Sequence, residues 1–250
     1  MQIFIITLPE DGNRRYAIEG QLENLGLPYE VLPAVNGRLL SLEDRRKNYD
    51  EVWFIRNEGQ AATPGELGCA LSHIEAYRLV VERRLPYALI LEDDAWLNPN
   101  LPQLLQAIEG QASPDEKRVF LLTWFSAIDS RKHSTLWSAY HVADVKSAYC
   151  AHGYVVSNAA ARAMLKVLHP VRHLADSWNW LRRHRIVRIL AVFPTCITAD
   201  LSYDTRTAGE MTQAAAGRSQ LALLRHKLYR AFWRLVDHTS AIITRQSKSS

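Results

Sequence analysis

The chain has 250 residues, 48% of them hydrophobic and 22% charged, which supplies enough apolar side chain for one large core or a domain with an appendage and excludes disorder as the dominant state. Net charge is +4, but residues 215–250 carry seven Lys/Arg against Asp237 alone, so the remainder is mildly acidic at −2 and no general nucleic-acid binder. Three cysteines (Cys69, Cys150, Cys196) in no zinc-like or redox spacing, and a first apolar run far short of the ~18 residues of a membrane span, lead us to expect a cytoplasmic chain without signal peptide or transmembrane anchor.

Gln2–Leu8 is a short β-branched run ending at Pro9 and the turn-prone Asp11-Gly12-Asn13, the pattern of a buried parallel strand entering a loop. Ile18, Leu22 and Leu25 then recur at helical spacing; Gly26 suits the position after the last turn and Pro28 bars continuation. Tyr29–Val35 reads as a second strand closed by Asn36-Gly37. The first ~35 residues are therefore a βαβ unit, which implies a parallel sheet with a right-handed crossover. Residues 41–62 show no sustained period and are expected to form an irregular excursion.

The next start signal is complete. Thr63 at the N-cap, Pro64 at the first helical position and Glu66 three residues after the cap make a capping box. Leu67, Ala70, Leu71, Ile74, Tyr77 and Val81 follow as a stripe of helical period facing a core. Pro86 ends the helix, and the strand Tyr87–Leu91 runs directly into Glu92-Asp93-Asp94. Val119–Trp124 and Ser147–Ser157 read as strands, Ser157 or Asn158 caps an alanine-rich helix to Leu168, and a short helix around Asp176–Leu181 precedes an apolar strand, Ile186–Phe193. Such alternation predicts an α/β fold, an open, mostly parallel sheet flanked by helices. Residues 221–236 place Leu221, Leu224, Leu228, Ala231, Phe232 and Leu235 on one face and Lys227, Arg230 and Arg234 on the other, a basic amphipathic helix.

Glu92-Asp93-Asp94 carries the most chemical information. Like charges so crowded are costly unless a cation or solvent compensates them, and in an open α/β sheet ligands bind outside the carboxyl ends of the strands. The pattern suits Mg²⁺ or Mn²⁺ held together with substrate phosphates, and it suits equally a solvated acidic turn. The helix starting at Thr63 offers its first-turn amides to an anion such as a diphosphate, or is simply well capped. Cys69 and His73 lie to one side of its apolar stripe, where a lone His is more often a hydrogen-bonded core residue than a ligand. Asp176 stands beside Trp178 and Trp180, either a base near rings that pack on sugars or a cap followed by buried tryptophans.

Four ordered blocks invite comparison with a family. They are Ile3–Leu8 followed by Arg14-Arg15, then Val35-Asn36-Gly37, then Thr63–His73 (TPGELGCALSH), and then Leu85–Asp94 (LPYALILEDD). Together they resemble glycosyltransferase family 25, which contains bacterial lipooligosaccharide galactosyltransferases and is similar to domains of collagen galactosyltransferases. The resemblance is dense to about residue 97 and thin beyond, resting on Gly153–Ser157 and Asp176 up to about residue 200. It implies a GT-A-type, Rossmann-like fold, a UDP-sugar donor, most commonly UDP-galactose, and inversion at the anomeric carbon.

It further implies that the acidic triplet plays the part of a DxD motif, with Glu at the first place. Glu92 and Asp94 are then the expected ligands of Mn²⁺ or Mg²⁺. Arg14, Arg15, Gly65, Ser72, His73 and Asp93 are candidates for the donor side, and Asp176 for the base that deprotonates the acceptor hydroxyl, with Asp200 or Asp204 as substitutes. Residues 1–210 are expected to form the catalytic domain and 215–250 the basic helix and tail. Expected partners are a UDP-sugar and a glycan or lipid-linked oligosaccharide acceptor; by elimination, residues 125–146, with Trp137 and Tyr140, are expected to include an acceptor-facing loop. The basic tail is expected either to dock on anionic lipid at the inner face of the cytoplasmic membrane or to pack on the body with a solvated basic face. A metal-dependent nucleotide-sugar hydrolase and a non-catalytic sugar-binding relative are the competing readings.

Overall fold

A computed structural model describes residues 1–199, the Ser130 side chain excepted. Asp200, Asp204, the expected boundary near residue 210 and the basic helix over 221–236 lie outside the described residues.

The βαβ unit forms as expected from β1 (Gln2–Thr7), α1 (Gly12–Asn24) and β2 (Glu30–Pro33), with β1 parallel to β2. After α2 (Leu42–Asn48), α3 (Glu51–Glu58) and α4 (Pro64–Glu82), the chain returns as β3 (Tyr87–Glu92), again parallel to β1. Then come β4 (Ala95–Leu97), α5 (Leu101–Gln111), β5 (Arg118–Leu121), β6 (Phe125–Trp137), β7 (Tyr140–Ala148) and β8 (Gly153–Ser157). The last described elements are α6 (Asn158–Leu168), α7 (Trp178–Arg183), β9 (Arg188–Phe193) and β10 (Ile197–Ala199). Eight strands make one sheet in the order β2-β1-β3-β8-β5-β9-β7-β6, in which β8 and β7 run against the other six, and β10 pairs with β4 in a small second sheet. The sheet is mixed and mostly parallel.

The continuous apolar runs of β1 and β3 have a simple cause, since both strands are covered on both faces. Ile3, Ile5, Leu89 and Leu91 pack with Ile18 and Leu22 of α1 and Leu101, Leu104 and Ile108 of α5. Phe4, Ile6, Ala88 and Ile90 enter a second core with Leu67, Ile74 and Tyr77 of α4 and Ala160 and Met164 of α6. Successive side chains of a strand point to opposite faces, so Glu92, next on the Ala88–Ile90 side, is directed toward α4.

α4 is held where its capping box predicts. Glu66 N donates to Thr63 Oγ1 at 3.2 Å, and Thr63 N donates to a Glu66 carboxylate oxygen at 2.8 Å. Its first turns lie hard against the segment after β2: Val35 N donates to Ser72 Oγ at 2.8 Å, while a Cβ on Gly37 would fall 1.8 Å from the Pro64 carbonyl oxygen and one on Gly68 2.3 Å from that of Val35. Only glycine permits this approach.

Three expectations are corrected. Residues 41–62 are not irregular but contain α2 and α3, capped by Ser41 and Asp50; α2 buries no residue and α3 only Phe54, so no apolar stripe announces them. Residues 125–146, expected to include a loop, are almost wholly strand, most of the β6–β7 hairpin with only residues 138–139 between the strands, and its register is interrupted several times. The strand expected over Ser147–Ser157 is the end of β7 and the whole of β8 with a break between them, where Cys150 adopts a left-handed conformation with φ +71°. Among the described residues no helix is long and apolar enough to cross a membrane.

Candidate active site

The acidic triplet lies at the carboxyl end of β3, and each of its members is held differently. Glu92 Oε1 lies 3.0 Å from His73 Nε2 and 3.9 Å from Cys69 Sγ, both from α4. Behind His73 runs a buried polar chain: Nδ1 is 2.7 Å from the Tyr154 hydroxyl, which is 2.7 Å from that of Tyr77. Glu92 N donates to the carbonyl oxygen of His152, whose ring is hydrogen-bonded to Thr123 Oγ1. Asp93 accepts from Thr7 Oγ1, the last residue of β1, at 2.7 Å. Arg14, in the first turns of α1, reaches both remaining carboxylates, with Nε 3.4 Å from Asp93 and a terminal nitrogen 3.6 Å from Asp94. Asp94 Oδ1 is buried and has no hydrogen-bond partner among the described residues.

Charge is thus only partly compensated. Burial pushes the Glu92 carboxyl up, but the His73 hydrogen bond and the charges of His73, His152 and Arg14 together outweigh it and leave Glu92 below the ordinary value. Asp94 goes the other way: burial, then the adjacent Glu92 charge, overcome Arg14 and raise it to about 7. Asp93 is also raised, chiefly by burial, against Thr7 and Arg14. An all-oxygen set with an unpartnered buried oxygen and surplus negative charge fits a hard divalent cation at Asp94 and Glu92.

Asp176 sits in the segment between α6 and α7. Its Oδ2 accepts from Cys150 N at 2.9 Å, and Trp178 Nε1 donates to the Cys150 carbonyl at 2.8 Å, so both peptide groups of that left-handed residue are pinned. Left-handed non-glycine backbone of this kind costs on the order of 1–3 kcal/mol and persists where neighbours enforce it. Burial raises the Asp176 carboxyl, opposed by the Cys150 amide and reinforced by the charges of Glu92 and Glu58. Asp176 and the triplet therefore share one electrostatic environment. Trp178 is fully buried against Tyr154, ring centroids 4.9 Å apart, which ties the Asp176 segment to the chain behind His73.

The structure gathers Arg14, His73, Glu92, Asp93 and Asp94 at the end of β3, and the charge of Glu92 also bears on Asp176. Gly65 occupies the first turn of α4, beside the Thr63–Glu66 cap. The bonds of two other candidates run elsewhere. Arg15 Nε donates to Glu19 along α1, and Ser72 Oγ bridges Val35 N and the Gly68 carbonyl inside the fold. Thr7, Tyr154 and Cys150 join the site without a role expected from the sequence. Thr7 was detectable as a hydroxyl closing an otherwise apolar strand, and Tyr154 as a hydroxyl in a fully buried one; nothing local marks Cys150.

Residues 1–178 match the family model described as "Glycosyltransferase family 25 (LPS biosynthesis protein)". A "Glycosyltransferase 25 family member" of Drosophila melanogaster is 28% identical over 171 residues, 66% of this chain and 27% of that protein. "Procollagen galactosyltransferase 1" of Danio rerio is 23% identical over 208 residues, 77% of this chain and 33% of that one. A Bos taurus protein named "Probable inactive glycosyltransferase 25 family member 3" is 26% identical over 184 residues, 69% of this chain and 30% of its own length. The chain therefore spans about a third or less of the length of these curated relatives.

Proposed function

The chain belongs to glycosyltransferase family 25, and we propose that it is a metal-dependent inverting transferase that moves a sugar, galactose first among the candidates, from a UDP-sugar to a hydroxyl of a glycan acceptor in lipooligosaccharide or lipopolysaccharide assembly. The observation that carries this reading is the buried Asp94 Oδ1, without a hydrogen-bond partner among the described residues, in a cluster of acids whose ion pairs among those residues are with Arg14 and His73. Asp94 and Glu92 would hold Mn²⁺ or Mg²⁺, which when bound neutralises negative charge growing on the departing diphosphate.

The chain's own residues divide the remaining work. Arg14, poised between Asp93 and Asp94, adds a fixed positive charge on the donor side. His73 holds the Glu92 carboxylate in one orientation. Asp176 accepts the proton of the acceptor hydroxyl as its oxygen attacks the anomeric carbon from the face opposite the diphosphate; burial raises its proton affinity, and the Cys150 amide fixes one oxygen. One base suffices, because a diphosphate leaves without being protonated. Residues 215–250 would bring the enzyme to an anionic membrane surface carrying a lipid-linked acceptor, each cation contributing ~1 kcal/mol.

A panel of UDP-sugars against terminal-sugar acceptors with Mn²⁺ tests the proposal, read by product mass and anomeric configuration. A β-linked product from an α-linked donor supports it. UDP release without an added acceptor makes the protein a hydrolase, and donor binding without any turnover makes it a non-catalytic relative.

A further inference from the structure

The cysteine spacing conceals a relationship that the fold creates. Cys69 and His73 are four residues apart on α4 and so lie on one face, and the alternation of β3 turns Glu92 toward that face. One ligand atom from each, the Cys69 sulfur, a His73 ring nitrogen and a Glu92 carboxylate oxygen, lie within 4.8 Å of one another. We propose that Cys69, His73 and Glu92 form a second metal site, specific for a borderline-soft divalent cation such as Zn²⁺ and distinct in chemistry from the all-oxygen set at Asp94.

Geometry and ligand type both favour it. Bonds of about 2.0–2.3 Å to zinc in a tetrahedron imply ligand–ligand separations of roughly 3.3–3.8 Å. Glu92 Oε1 lies 3.0 Å from His73 Nε2 and 3.9 Å from Cys69 Sγ, so small side-chain shifts complete three corners, with water as the fourth. The far nitrogen of His73 is engaged by Tyr154, itself bonded to Tyr77, which sets the ring with Nε2 toward Glu92, the outer-shell arrangement that a ligating histidine requires. Thiolate and imidazole select zinc over Mg²⁺ or Mn²⁺, and the ion deprotonates the thiol on binding. The negative charges of Glu92, Asp176 and Asp94 also bear on Cys69, which favours a cation there. Only the consequence for transfer rests on the proposed function: zinc here takes Glu92 from the triplet.

Binding is read on the full chain with no donor or acceptor present, so the outcome is separate from that of the transferase reading. X-ray absorption at the zinc edge of the wild-type protein loaded with one equivalent of Zn²⁺ is expected to show one sulfur at about 2.3 Å among nitrogen and oxygen neighbours. With Co²⁺, a thiolate charge-transfer band is expected in the wild type and in Cys150→Ser, and lost in Cys69→Ser. A zinc shell with no sulfur or with two, a cobalt band that survives Cys69→Ser, or one that disappears in Cys150→Ser overturns the assignment. The wild-type absorption measurement keeps the test decisive should Cys69→Ser fold poorly.

Discussion

His73 Nε2 lies 3.0 Å from Glu92 Oε1 while its other ring nitrogen lies 2.7 Å from the Tyr154 hydroxyl, so one buried imidazole couples the first acid of the triplet to the interior of the protein. The coupling has a measurable cost when broken. Hydrogen bonds to charged groups contribute about 1.5–3 kcal/mol. His73→Phe is expected to lower stability by an amount of that order in urea unfolding and to reduce transfer more than donor binding. Tyr154→Phe is expected to cost about 1 kcal/mol and to leave transfer largely intact. Equal, negligible losses in both variants would mean that the pair does not restrain Glu92.

Asp94 gives a stability dependence on pH with a definite sign. Its carboxyl is raised from the ordinary 3.8 to about 7, so between those values the folded chain holds a proton that the unfolded chain releases. The folded state is favoured below the lower value and loses that advantage as pH rises through about 7. Asp94→Asn removes the penalty of ionisation. Without divalent cations its melting temperature is expected to exceed that of the wild type at pH 8, by about 2–4 °C for each kcal/mol relieved, with the gap closing toward pH 4. A variant melting below the wild type at pH 8 would contradict the burial of an uncompensated charge.

Asp176→Asn keeps an oxygen to accept from Cys150 N, so the fold and donor binding are expected to persist while transfer falls by about 10²–10⁴-fold. Calorimetric titration with UDP beside a turnover assay separates the two effects. Persistence of transfer would move the role of base to another residue, with Asp200 and Asp204 next to be substituted.

Gly37→Ala tests the seating of α4, because the added methyl would meet the Pro64 carbonyl oxygen at 1.8 Å. Overpacking of this kind costs about 1–3 kcal/mol or more, and a lower urea midpoint is expected together with weakened donor binding, since α4 carries Gly65 and His73. An unchanged midpoint would show that the segment after β2 can move away freely.

The sequence made parts of this site legible and others not, for physical reasons. β1, α4 and β3 announce themselves because burial on both sheet faces and a capping box are written in consecutive residues, and the triplet stands out as three adjacent acids directly after an apolar strand, a pattern that by itself suits a solvated turn as well as a metal. α2 and α3 were hidden because they bury almost nothing, and their caps at Ser41 and Asp50 carry no apolar stripe behind them. A lone His on this stripe suggests a core or rim residue; His73 is buried, yet it also grips Glu92, a pairing that requires knowing which face of β3 meets α4. Cys150 could not be read at all, since its left-handed backbone is imposed by Asp176 and Trp178 from 26 and 28 residues away.

UDP binding with and without Mn²⁺, measured calorimetrically on the wild type and on Asp94→Ala, addresses the central claim most directly. In the wild type, Mn²⁺ is expected to tighten UDP binding by about tenfold or more, and in Asp94→Ala that increment is expected to vanish while weak cation-independent binding remains. An equal Mn²⁺-dependent gain in both proteins would contradict the assignment of the acids after β3 to a metal-bound diphosphate.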